Sequence, residues 1–332
     1  MAHVAVQSEA EWLALRESFV GGSEVASLFY TYRMPDGGAA VRHLYEAPPE
    51  NSQPLGCLSP YRTGYALWTE KAGLVMPADF SSERIDAGKF LEPALAAWAS
   101  DKFKLKLRKV RRYHQHETVE GWGASLDYEV HGIGMPPVEF KNVDRAIFAR
   151  DWMAEGDDII APPIHINLQL QHQMGACGAD HGFIVACIGG NELKLGRIPR
   201  HEPTQTRIAE AITAFWAGVK AQVPPILVAD YEAVSKAHAF GDKGAVADLS
   251  GVEGFPALCD RYLELKRQAD ELEVSLETAK GQIAIHLGEA TKATAPGVRV
   301  SWSVIHRPEK VIPERKQEAK TYRGALIVTK EV

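Results

Sequence analysis

The sequence predicts an α/β (α+β) protein with a mixed central sheet flanked by helices and a C-terminal extension of one long helix and short strands. Three observations predict it. From residue 81 onward, helical and extended patterns alternate as helix, three strands, helix, strand. Residues 183–188 form a short, wholly apolar run, the mark of a strand buried on both faces. After Val223-Pro224-Pro225, apolar residues recur at spacings of four and three over some thirty positions, the mark of a long helix with a narrow seam.

Taken in order, Trp12, Leu15 and Phe19 place an amphipathic helix over residues 11–19, stopped by Gly21-Gly22. Ser23 is the expected N-cap of a second helix over 24–29. Residues 30–53 mix Gly, Pro and polar residues without a period and read as a long loop or inserted element. Residues 65–73 are expected to be helical. Leu91, Leu95 and Trp98 give residues 81–100 an apolar stripe, with Glu92 at its border. Strands follow over 104–113, 122–130 and 137–143, then a helix over 164–177. Strands over 183–188 and 192–198 and a helix over 204–221 complete a first domain of residues 1–222. Residues 223–332 form the second. Its long helix runs from Leu258 to Leu287 and ends at Gly288. A strand follows over 298–304, with 324–329 as its expected partner and an exposed charged stretch over 307–320 between them.

Composition sets bounds. The 332 residues carry a formal net charge of −6, which argues against coating nucleic acid with the whole surface. One local basic candidate exists: Lys102, Lys104, Lys106 and Arg108 alternate with apolar residues as a strand with a basic face, or as an edge strand guarded by lysines. The four cysteines are scattered without a CxxC pair, which argues against a zinc or iron–sulfur site and fits reduced cytoplasmic thiols. No apolar run spans a membrane, and the N-terminus lacks a secretory pattern. A cytoplasmic location is expected, that of a host cell if the chain is phage-encoded.

The chemistry concentrates at Asp127 and Val138-Glu139-Phe140-Lys141. On a strand, Glu139 and Lys141 share a face and Phe140 takes the other. An aspartate from a neighbouring strand brings a second carboxylate beside Glu139, and adjacent carboxylates call for a cation. Oxygen ligands with a lysine alongside suit a hard divalent metal. The same residues also fit plainer roles: a solvated strand face for Glu139 and Lys141, a turn-favouring acid for Asp127, an exposed helix residue for Glu92. Arg16 and Ser23 make a second constellation, a forked cation beside a helix N-terminus that favours a phosphate. Gln169, His172 and Gln173 share one helical face.

Assembled, these pieces resemble the YqaJ-type viral recombinases, related to phage lambda exonuclease within the PD-(D/E)XK nuclease superfamily. The matching segments are Gly21-Gly22-Ser23-Glu24, Ser59-Pro60-Tyr61, Leu67-Trp68-Thr69-Glu70-Lys71, Phe90-Leu91-Glu92-Pro93, Ser125-Leu126-Asp127, Val138-Glu139-Phe140-Lys141 and Gln169-Leu170-Gln171-His172-Gln173. The insertion at about 29–55 departs from the pattern. The resemblance implies a restriction-endonuclease-like core. It implies an Mg²⁺ site, with Mn²⁺ as a substitute, made by Asp127, Glu139, the Phe140 backbone carbonyl and Glu92. Lys141 and Gln169 are implied beside the reacting phosphate, and Arg16 and Ser23 at the 5′ phosphate of a DNA end. The implied activity is exonuclease digestion of linear double-stranded DNA from 5′ to 3′, leaving 3′ single strands for phage-type recombination. The implied partners are a single-strand annealing protein and further copies of the chain, as a trimer. Two other readings stay open: a non-catalytic DNA-end-binding scaffold, and another PD-(D/E)XK nuclease such as an endonuclease or a RecB-like or Cas4-like enzyme.

Overall fold

The computed structural model describes residues 2–5, 8–76, 82–132, 134–225, 228, 230–239 and 244–304. It divides into two units, Met1–Ala237 and His238–Val332.

The first unit opens with β1 (Ala2–Ala5) and α1 (Glu9–Glu17), whose N-cap Ser8 accepts the Glu11 N–H at 3.2 Å. The helix expected over 24–29 is a single 3₁₀ turn, Val25–Leu28, and Ser23 does not cap it. Glu24 stands at the N-cap, and its buried carboxylate accepts the Gly21 N–H at 2.9 Å. The chain then enters β2 (Phe29–Arg33), β3 (Ala39–His43) and β4 (Gln53–Cys57), an antiparallel sheet in the order β3-β2-β4. The insertion is therefore a sheet, not a loop. Pro35-Asp36-Gly37 makes its first reversal: Gly37 takes φ 86°, and Asp36 accepts the Gly38 N–H at 2.8 Å.

Helix α2 (Gly64–Lys71) is capped by Thr63, and α3 (Glu83–Phe103) by Ser82. Residue 81, where that helix was expected to begin, lies outside the described residues. The expected stripe on α3 is corrected. Leu91 and Trp98 are exposed, and the buried positions are Leu95, Ala96 and Ala99, because two alanines let the helix backbone approach the sheet closely. The basic strand is corrected too. Lys102 closes α3 and Lys104 is its left-handed C-cap at φ 56°, so no period of two exists before β5 (Leu107–Lys109). Its cations have partners: Lys102 pairs with Asp157 and Lys104 with Asp101, each at 3.1 Å, while Arg108 and the nearby Arg112 both pair with buried Glu129.

The remaining strands and helices are β6 (Arg112–Gln115), β7 (Gly123–Ser125), β8 (Tyr128–Val130), β9 (Pro137–Val143), α4 (Arg145–Asp151), β10 (Met153–Glu155), β11 (Asp158–Ala161), α5 (Ile164–Cys177), β12 (His181–Ile188), β13 (Glu192–Pro199), α6 (Glu202–Lys220) and α7 (Tyr231–Ala237). The expected strands over 104–113 and 122–130 are each broken in two, and the halves join different sheets. A seven-stranded sheet runs β10-β11-β13-β12-β9-β8-β5 and is mixed as expected: β12 is parallel to β9 and antiparallel to β13. A smaller sheet has the order β1-β6-β7.

Period-two alternation divides the large sheet into two faces. Val138 and Phe140 of β9 join Val185 and Cys187 of β12 under Leu95, Ala96 and Ala99 of α3. Ile184, Ala186 and Ile188 turn the other way, into a core with Leu170 and Met174 of α5 and Ile208, Ile212 and Phe215 of α6. Glu139 and Lys141 therefore lie on the α5 face. None of the described helices is long and apolar enough to cross a membrane.

The second unit contains α8 (Phe255–Leu287), which ends at Gly288 with φ 55°, and a hairpin of β14 (Lys292–Ala295) and β15 (Val298–Ser301). The partner of β15 is β14; residues 324–329 and 307–320 lie outside the described residues.

Candidate active site

Strand β9 and helix α5 carry the centre of the site. Glu139 is 4% exposed, and three donors hold its carboxylate. Lys141 Nζ and Gln169 Nε2 reach Oε1 at 2.7 and 2.8 Å, and Gln173 Nε2 reaches Oε2 at 2.7 Å. Lys141 also donates to Gln169 Oε1 at 3.0 Å. Gln169 and Gln173 are one helical turn apart on α5, so one turn of helix fixes both carboxylate oxygens. Burial pulls the Lys141 ammonium toward the neutral form, but Glu139 beside it and then Asp127 outweigh that, and its pKa lies above the usual lysine value. Lys141 is a fixed positive charge.

Asp127 sits in the break between β7 and β8. Burial drives its pKa well above the ordinary carboxylate range, and the neighbouring charges of Glu139 and then Glu92 drive it further. Lys141 and the Phe140 backbone N–H oppose the shift without cancelling it. Glu92 on α3 is held by Lys109 Nζ at 3.1 Å. That ion pair draws its carboxylate toward β5, and among the described residues no group of three His, Cys, Asp or Glu side chains could hold a metal ion.

A second cluster lies across a cavity of about 190 Å³ lined by Trp12, Arg16, Gly21, Gly22, Ser23, Tyr113, Ser125, Asp127, Gln169 and Gln173. Arg16, Ser23, Asp127 and Gln169, four residues singled out in the sequence, thus open onto one cleft. The Arg16–Ser23 constellation is built differently from the expectation. A single 3₁₀ turn offers no extended helix terminus, and Ser23 contributes an exposed hydroxyl, not a cap. Cations supply the charge instead. Arg16 stacks on Trp12 at 4.7 Å and pairs with Glu24 at 3.1 Å. Arg62 and Lys71 pair with the same Glu24, Lys71 at 3.3 Å, and Arg62 also holds Glu70 at 2.8 Å. Burial alone would raise the Glu24 carboxyl, but Lys71, Arg62, Arg16 and the Gly21 N–H together lower it to about 2.

Gly22 joins the two clusters. A Cβ there would stand 3.3 Å from Gln169 Cγ and 3.5 Å from Gln173 Cγ, so only the bare backbone fits comfortably against both glutamines. His172, on the same helix, turns into the core, where Nε2 lies 3.0 Å from the Val20 carbonyl oxygen and burial lowers its pKa to about 3. It is a neutral structural group. The sequence reading missed Glu24, Arg62 and Lys71 as a unit. All three stand in the matching segments or directly beside them, but nothing in their spacing shows that three cations meet one acid.

The donor chemistry fits a divalent ion. Asp127 and Glu139 offer carboxylate oxygens, and the Asp127 carboxyl is raised first by burial and then by the neighbouring charges of Glu139 and Glu92, a cost that a bound cation would relieve. Three of the roughly four lone-pair directions of Glu139 are already used, which leaves about one for a ligand.

Residues 52–180 match the family model of the YqaJ-like viral recombinase domain. The chain is 22% identical over 311 residues to the uncharacterized protein YqaJ of Bacillus subtilis (strain 168), covering 92% of this chain and 86% of that one. Two crystal structures of LHK-Exo, an alkaline exonuclease from Laribacter hongkongensis, one of them in complex with dAMP, cover 64% of this chain and 94% of their own at 19% identity, with TM-scores of 0.46 and 0.45.

Proposed function

We propose that this chain, whose residues 52–180 carry a YqaJ-like viral recombinase domain, is a divalent-metal-dependent exonuclease that digests linear double-stranded DNA from 5′ to 3′. The observation that carries the reading is the shared cleft. On one side stand Asp127 and Gln169, backed by the Glu139 carboxylate and the Lys141 ammonium; on the other stands Arg16, a guanidinium held by Glu24. End-directed phosphodiester hydrolysis uses both, a charge-neutralised phosphate and an anchored end.

Asp127 and Glu139 would hold Mg²⁺, with Glu92 and the Phe140 carbonyl as the further ligands that the family resemblance suggests. When bound, the ion supplies charge neutralisation at the phosphate and makes an attacking water more acidic. The chain's own groups do the rest. Lys141, kept charged by Glu139, places a positive charge where the phosphate gains negative charge, and it is too basic to take a proton from water at neutral pH. Gln169 donates to Glu139 and accepts from Lys141, and so fixes the angle between acid and ammonium. Arg16, backed by Trp12, offers a forked contact to a terminal phosphate, with the Ser23 hydroxyl beside it. The 3′ strand left by this reaction suits a single-strand annealing protein, the partner that goes with the proposal.

The test is digestion of end-labelled duplex with Mg²⁺ and with chelator, against a covalently closed circle of the same sequence. The reading expects linear duplex to be degraded only with metal and the circle to persist. Glu139→Ala should remove activity by at least about three orders of magnitude while the fold is retained, as expected for loss of a metal ligand. Equal cutting by that variant would falsify the site. Cutting of the circle would make the protein an endonuclease, and failure to bind Mg²⁺ by calorimetry would leave an end-binding scaffold.

A further inference from the structure

The 33 residues of α8 carry a seam that is exposed over most of its length and that, among the described residues of its own unit, nothing covers there. Leu258, Leu265, Leu272, Leu276 and Ile283 are each between 49% and 70% exposed. The seam is a heptad repeat sustained over about four heptads. Tyr262, Ala269, Leu276 and Ile283 fall at a, and Leu258, Leu265, Leu272 and Ala279 at d. An amphipathic helix of this regularity needs a second helix, and its own residues say which.

We infer that α8 pairs with α8 of a second copy of this chain, as an antiparallel two-stranded coiled coil. In an antiparallel pair each a residue faces a d residue. With the two helices aligned end to end, Tyr262 meets Ala279 of the partner copy, Ala269 meets Leu272, Leu276 meets Leu265, and Ile283 meets Leu258. Each alanine faces a large side chain, so every layer keeps at least one large residue and none is left as a pair of small ones. The parallel, in-register alternative stacks alanine on alanine in two layers and tyrosine on tyrosine in a third.

Charge selects the same orientation. The antiparallel alignment brings Lys266 of one copy beside Glu273 of the other at the flanking e positions, and by the two-fold axis it does so twice. The parallel alignment sets Arg261 against Lys266, a like-charge contact. The charges on the outer face are already used within the helix: Arg267 pairs with Glu264 and Glu271. Lys266 and Glu273 form no ion pair among the described residues. The surface is therefore self-complementary in shape and in charge.

The experiment is sedimentation equilibrium of the full chain and three variants across a concentration series. Leu272→Glu buries a charge in the central layers and should halve the mass of the assembly. Lys266→Glu turns two attractive contacts into repulsive ones and should weaken the pairing about tenfold. Lys266→Glu combined with Glu273→Lys should restore it. These are exposed positions, and circular dichroism at matched concentration checks that α8 stays helical. Three results each overturn the inference. They are a mass unchanged by Leu272→Glu, a tighter assembly in Lys266→Glu (the parallel outcome, through Arg261), and a double variant no better than the single ones.

Discussion

Replacing Glu24 by glutamine keeps the shape of the side chain and removes the charge that three cations share. Its carboxyl falls from an ordinary 4.5 to about 2 on folding, although burial alone would push it the other way. That fall corresponds to roughly 3 kcal/mol of stability at neutral pH. A second line of reasoning gives a similar size. Lys71 is as buried as Glu24, at 2% side-chain exposure, and breaking a buried pair by removing one partner costs about 3–5 kcal/mol. The loss is bounded, because Lys71 is already pulled toward neutrality by burial and can shed its proton once Glu24 no longer opposes that. Glu24→Gln is therefore expected to lower the free energy of unfolding by about 3 kcal/mol at pH 7, a large share of a typical total.

The sign with pH follows from the lowered carboxyl. Its contribution is fully present above pH 4.5 and is lost as pH falls toward 2. Urea unfolding at a series of pH values measures this directly, with an unchanged slope confirming that the unfolded state is the same. The curves of the wild type and the variant should separate at neutral pH and converge near pH 2. Adding Lys71→Met to Glu24→Gln should recover much of the loss, because an apolar replacement leaves no unpaired buried charge. A difference below about 1 kcal/mol at pH 7, or one that does not shrink in acid, would refute the account of Glu24 as the electrostatic hub.

Three further outcomes are expected. Asp127→Asn should stabilise the metal-free protein at neutral pH, because the raised carboxyl carries a cost that builds as pH rises from the ordinary carboxylate range up to its folded pKa. The same variant should lose the thermal shift produced by Mg²⁺, and calorimetric scans with and without the ion read both effects. Arg16→Ala should cut the preference for 5′-phosphorylated over 5′-hydroxyl ends by about tenfold or more, the worth of a charge-assisted contact, measured as the ratio of kcat/KM on the two substrates. Gln173→Leu leaves Oε2 of Glu139 without its donor and should cost about 1–3 kcal/mol in urea unfolding and lower kcat with it.

The legible parts of the fold were those where burial on both sides forces one pattern. Strand β9 and helix α5 have the bounds the sequence gives them, because the alternation at 138–141 and the helical spacing at 166–174 admit one structure each. The shared face of Glu139 and Lys141 was legible for the same reason, whereas Asp127 and Gln169 were singled out by the family resemblance. Elsewhere the decisive contact was nonlocal. Lys104 adopts a left-handed cap without the glycine that usually announces one, and this turned an apparent basic strand into a helix end. Glu24 reads as an ordinary polar residue until Arg16 arrives from α1, Arg62 from the loop before α2 and Lys71 from the end of α2. The insertion was readable in hindsight: Phe29-Tyr30-Thr31-Tyr32 is rich in strand-forming residues, and Pro35-Asp36-Gly37 is a turn signal with a mechanism.

The charge balance of the cleft explains why its two halves sit together. At the Arg16 side, three cations (Arg16, Arg62, Lys71) meet two acids (Glu24, Glu70), which leaves an excess of positive charge. At the β9 side, three acids (Asp127, Glu139, Glu92) meet two cations (Lys141, Lys109), which leaves an excess of negative charge. Between them lie Gly22 and two neutral amides, Gln169 and Gln173, which bind by hydrogen bonds and add no charge of their own. Were either glutamine a lysine, it would cancel the negative excess that attracts a cation; were either a glutamate, it would repel the phosphate. The neutral partition separates a net positive cluster that reaches the cavity through Arg16 from a net negative one that reaches it through Asp127. The proposed substrate, a polyanion travelling with divalent counterions, would satisfy both clusters at once, whereas a neutral ligand would satisfy neither.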